Sequence, residues 1–183
     1  MTFRVLIAAA LAATLQTQGR PERFNAMAVN MDRGAAGTVE IVVNRWSSDK
    51  DRERLVSTLV ERGENKLLDV LQGMPRVGYI RTPDTIGWDL HYAHHVPLPD
   101  GGERVVIATD RRIGFWEARN QPRSIDYPFT VIEMHLNADG EGEGKMSVAT
   151  RITVDKDTKT VTLENYGTQP VLLQSVRREK HSQ

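Results

Sequence analysis

The chain has 183 residues with 24 basic and 24 acidic side chains, so its formal net charge is zero, and it contains no cysteine. Disulfides and thiolate metal sites are excluded, and the scattered charge offers no basic face of the kind that nucleic-acid binding requires. The length suits one domain able to bury a core without cross-links.

Arg4 is the only charge among the first nineteen residues; an apolar, alanine-rich run from Val5 to Leu15 follows, and then the polar exit Gln16-Thr17-Gln18-Gly19. That order is the build of a secretory signal peptide, and the run is too short to span a bilayer, which takes about 20 residues. The expectation is an exported bacterial protein, periplasmic or secreted, cleaved near Gly19–Arg20, with 20–183 forming a single globular domain. No later segment is apolar enough to cross a membrane. Without cysteine there is no site for a bacterial lipid anchor.

Arg23 to Met31 alternates in polarity, a turn through Asp32-Arg33-Gly34-Ala35-Ala36-Gly37 follows, and Thr38 to Arg45 alternates again with Val39, Ile41 and Val43 on one face. The pair predicts a hairpin. Ser48 with Asp51 three residues on forms a helix-start signature, and Leu55, Val56, Leu59 and Val60 make one apolar stripe. Gly63 ends this helix, and a second short helix runs from Glu64 to Leu71 until Gly73 and Pro75 close it.

The period then returns to two. Strands are predicted at Arg76–Arg81, Ile86–Val96, Glu103–Thr109, Ile113–Ala118, Phe129–Leu136, Lys145–Val154, Thr160–Asn165 and Val171–Val176. Val105, Val106, Ile107 and Ala108 are apolar on both faces, which predicts a central strand. The cluster Arg177, Arg178 and Lys180 reads as a frayed, solvated end. Consecutive hairpins require no parallel crossover. The fold class is α+β and strand-dominated: an antiparallel curved sheet, sandwich or half-open barrel of about nine strands, with a helical pair inserted after the second strand.

Three constellations could carry chemistry. In Asp89-Leu90-His91-Tyr92-Ala93-His94-His95, an extended segment puts Trp88, Leu90, Tyr92, His94 and Val96 on one face and His91 and His95 on the other. Two imidazoles can ligate a metal, but a third ligand must come from elsewhere, and solvent-facing polar residues are the plainer reading. Glu133 and His135 point the same way on their strand and form a carboxylate–imidazole pair suited to acid–base work; any sheet with one wet face produces the same alternation. The long polar segment after Trp116 holds Glu117, Arg119, Arg123 and Asp126, groups that fix an anionic ligand or pin the loop to itself. Gly140-Glu141-Gly142-Glu143-Gly144 is not a phosphate loop, since it lacks the Lys-Ser/Thr step and opens a strand.

No cofactor is implied. The preferred expectation is a non-enzymatic binding or interaction module outside the cytoplasm, with a small molecule or an envelope protein as partner. The alternative is a small extracytoplasmic hydrolase using His135 and Glu133, with a metal at His91 and His95.

Overall fold

The computed structural model describes residues 20–110, 113, 128–155, 160–165 and 169–180. Ten strands and two helices follow one another: β1 (Glu22–Asn30), β2 (Ala35–Val43), α1 (Asp49–Arg62), α2 (Glu64–Gln72), β3 (Gly78–Arg81), β4 (Trp88–Leu90), β5 (Tyr92–Pro97), β6 (Glu103–Thr109), β7 (Phe129–Leu136), β8 (Glu141–Asp155), β9 (Thr160–Asn165) and β10 (Val171–Arg178). Every pairing is antiparallel. The strand order is β4-β3-β2-β1-β10-β8-β7-β6-β5, with β9 paired to β8 off this path. The sheet curls into a nearly closed barrel with the helical pair inserted after β2, as the sequence predicts, and the described residues hold ten strands where about nine are expected.

The two ends of that order, β4 and β5, are consecutive in the chain, and this closes the seam. His91 sits in a bend between them, and its N–H donates to the Ala108 carbonyl at 3.3 Å. On the other flank the Ser47 N–H donates to the Ala93 carbonyl at 2.7 Å, while Ser47 Oγ accepts from the Ala93 N–H at 3.1 Å. Buried backbone groups at a sheet edge need such partners.

Two apolar layers result. Inside the barrel, Phe24, Ile41, Ile80, Leu90, Val105, Ile107, Met134, Met146 and Leu173 are fully buried. Each such large side chain contributes about 1.5–3 kcal/mol. Outside, Leu55 and Leu59 of α1 and Leu67 and Leu71 of α2 pack on Tyr92, Phe129 and Val131, with Val106 and Ala108 beneath them. The double apolar character of β6 has this cause: Val105 and Ile107 fill the barrel while Val106 and Ala108 face the helices. Strand β6 is flanked by β5 and β7 but lies one place in from the end of the order, not at its centre.

Helix α1 starts on a full capping box, with Ser48 Oγ accepting from the Asp51 N–H and the Asp51 carboxylate accepting from the Ser48 N–H. It stops at Gly63, whose φ of 81° suits a residue without a Cβ. Glu64 then ties α2 to β8 by accepting from Arg151 Nε at 3.0 Å and the Ile152 N–H at 3.2 Å.

The structure corrects several expectations. Ile86–Val96 is not one strand, because the bend at His91 shifts the alternation by one residue. Trp88 and Leu90 therefore pack with the barrel interior, as Ala93 does, whereas Tyr92 turns to the helices. Strand β8 begins four residues early, at Glu141, and includes Gly142 and Gly144. A Cβ on Gly142 would stand 1.9 Å from the His135 carbonyl oxygen, so glycine permits the close approach of β8 to β7. Arg177 and Arg178 are the last residues of β10, not a frayed end. Of the expected strand Ile113–Ala118, only Ile113 lies among the described residues; it is buried, and its N–H donates to Thr130 Oγ1.

Candidate functional site

The helices do not seal the sheet beneath them. A groove of about 380 Å³ runs between the helical pair and the outer face of β5, β6 and β7. Leu55, Val56 and Leu59 of α1 and Leu67 and Leu71 of α2 form one wall. Tyr92, His94 and Val96 of β5, Val106 and Ala108 of β6, and Phe129 and Val131 of β7 form the floor, with Ile152 and Leu163 beyond. Val56, Val96 and Leu163 remain 46%, 40% and 42% exposed, so the groove opens onto apolar surface that the fold itself does not bury.

Polar groups stand at the ends. Tyr92 is only 8% exposed, and its hydroxyl makes no hydrogen bond to any described residue. Burial pushes its pKa up to about 12; Arg52 opposes the rise, and Asp49 and Asp51 add to it. The phenol is therefore a neutral donor throughout the ordinary pH range. The His94 ring lies parallel to that of Tyr92 with centroids 6.2 Å apart, and its Nε2 is 3.0 Å from Asp49 Oδ1 at the start of α1. Arg52, one turn along, lines the groove and makes no side-chain ion pair with a described residue. Elsewhere on the rim Glu133 takes Arg104 Nε at 3.6 Å and His135 Nε2 at 3.2 Å.

Among the sequence-predicted site residues, Glu133 and His135 are brought together. Their side chains are 42% and 56% exposed, beside a shallow hollow of about 270 Å³ that Glu143, Lys145 and Gln174 also line. A carboxylate that accepts from an imidazole in open water lacks the enclosure that tunes acid–base pairs. His91 and His95 are directed to different partners. His91 Nδ1 donates to the Met74 carbonyl at 2.9 Å, with Nε2 3.5 Å from Asp110. His95 stacks on Trp46 at 4.4 Å and engages Glu103 at 2.9 Å. Among the described residues no group of three or more histidines and carboxylates is arranged to hold a metal ion. Trp116, Glu117, Arg119, Arg123 and Asp126 lie outside the described residues.

Arg52, Tyr92 and His94 are the residues that sequence reading passed over. Tyr92, His94 and Val96 alternate as expected, but their face looks like core until the helices are seen to cover it incompletely. Arg52 reads as an ordinary charge in a first helical turn. Compared with protein-family models, curated proteins and solved structures, the chain gives no match.

Proposed function

We propose that this protein is a non-enzymatic binding module of the bacterial periplasm or exterior, holding a small molecule with a substantial apolar part between α1–α2 and the outer face of β5–β7. The observation that carries the reading is the groove. Its volume of about 380 Å³ falls within the roughly 300–1,000 Å³ usual for ligand sites, and its walls are apolar with a few polar groups at the ends. Export rests on the order of charge, apolar run and polar exit in residues 1–19.

Titration with an uncharged environment-sensitive dye such as Nile red tests the binding reading. Wild-type protein should bind the dye with a blue shift, and decanol or a similar uncharged chain should compete. Val56→Trp, at an exposed wall position, should weaken binding several-fold while leaving the melting temperature near wild type. Absence of any dye or decyl-chain binding overturns the proposal. N-terminal sequencing of exported protein should begin near Arg20, and material beginning at Met1 overturns export by a cleaved signal.

The contact between Glu133 and His135 favours hydrolysis as a second reading. If hydrolysis is the function, His135→Ala abolishes turnover of generic ester substrates; under the binding reading the wild type has no such turnover.

A further inference from the structure

We infer that the groove takes a single-chain amphiphile with a carboxylate head, the head meeting Arg52 and Tyr92 and the tail lying along Leu55, Leu59 and Val106; the inference rests on the groove being a ligand site. The argument is one of unspent charge. Three carboxylates stand near the groove, and each is engaged: Asp49 by His94, Asp51 by the α1 capping box, and Glu133 by Arg104 and His135. Of the cationic and imidazole groups at its edge, Arg104 is held by Glu133 and His94 by Asp49. Arg52 is left without a carboxylate partner among the described residues.

Tyr92 supplies an independent observation. More than nine-tenths of the residue is buried, it lines the groove, and its hydroxyl has no hydrogen-bond partner among the described residues. The hydroxyl itself is not sealed from solvent and opens to the groove, where it can donate to a ligand atom that takes the place of water. A guanidinium and a phenol O–H are both donors towards such an atom, and an acceptor-only carboxylate satisfies both. The volume, near the lower end for ligand sites, suits one slender chain better than a two-chain lipid.

The test is calorimetric titration of the full mature chain with decanoate, decanol and decyltrimethylammonium, each below its micelle concentration. Decanoate should bind about tenfold or more tightly than decanol, the gain expected of one charge-assisted hydrogen bond, and the ammonium most weakly. Arg52→Gln, at an exposed position, should remove most of the preference for decanoate, weakening decanoate far more than decanol. Tyr92→Phe should remove part of it, and Arg52→Lys should restore some. Shortening the chain should weaken binding roughly fourfold per methylene. Equal affinity for decanoate and decanol, or a preference that survives Arg52→Gln, overturns the carboxylate-head assignment while leaving the binding module standing. Failure of all three ligands to bind overturns both.

Discussion

Two carboxylates on the described surface are held by their neighbours, and both link stability to pH. Glu40 on the outer face of β2 accepts from Arg23 at 2.6 Å and from Arg81. Burial raises its carboxyl, but the hydrogen bonds and charges of the two guanidiniums outweigh this and hold it below its ordinary value. The Asp51 carboxyl is lowered first by the backbone N–H of Ser48 and then by its hydroxyl. A carboxyl depressed in the folded state contributes stability that is complete above its unfolded-state value and is lost as pH falls through the folded one. Asp51→Asn should therefore cost about 0.5–2 kcal/mol in urea melts at neutral pH, the range of a lost helix cap. The cost should vanish in buffer acidic enough to protonate the wild-type carboxyl. Glu40→Gln should behave alike, with about 1 kcal/mol at neutral pH because its arginines are half-exposed and screened. A cost independent of pH would mean that neither interaction is ionic.

At the scale of elements, the helical pair is attached by a thin set of contacts. Leu59 is 5% exposed against Phe129 and Val131 but also borders the groove. Leu59→Ala should cost about 2–5 kcal/mol, at the lower end because one side is already open. A loss under about half a kilocalorie per mole, far below that range, would mean that the stripe is not packed. In β8 the limit is space instead of burial. Gly142→Ala places its Cβ on the β7 backbone and should cost about 1–3 kcal/mol by overpacking. Gly73→Ala, whose Cβ would make only ordinary contacts at 3.5 Å, is the control and should be nearly neutral. The glycine-rich run thus has a structural account with no ligand in it: β8 must approach β7 closely to curl the sheet.

The whole molecule is fastened at one end by a ring of side chains from five places in the chain. The Trp46 indole N–H donates to Glu22 Oε1 at 2.7 Å, and Arg178 Nε lies 3.1 Å from Glu22 Oε2 without the alignment of a hydrogen bond. Arg178 also bonds Glu103, Glu103 engages His95, and His95 stacks back on Trp46. The ring joins β1, β5, β6, β10 and the segment after β2. Arg178 additionally lies over the Phe24 ring at 5.1 Å. Arg178→Met should keep most of the apolar packing yet leave Glu22 and Glu103 without their shared cation. A loss of about 1–3 kcal/mol is expected, with a displaced NMR signal for the Trp46 indole N–H. An unmoved signal would mean that the ring does not act as a unit.

The hairpins, the capping box at Ser48, the stop at Gly63, the helical insertion and the antiparallel class were all legible in the sequence. Each is a local pattern: burial alternates by two in a strand and by 3.6 in a helix, and caps and turns need particular residues within a few positions. Such patterns say that a face is apolar but not what will cover it. That is why Val106 and Ala108 pointed to a central strand when helices in fact lie over them. The bend at His91 reverses the facing of β5 relative to β4, and no local signal distinguishes it from a continuous strand. Barrel closure depends on contacts such as Arg178 with Glu103, 75 residues apart, and the seat of the helices on Arg151 with Glu64, 87 apart. Periodicity determined which side chains prefer to be buried; only the closed sheet and the seated helices decided which of them, with Arg52 and the Tyr92 hydroxyl, were left facing an opening.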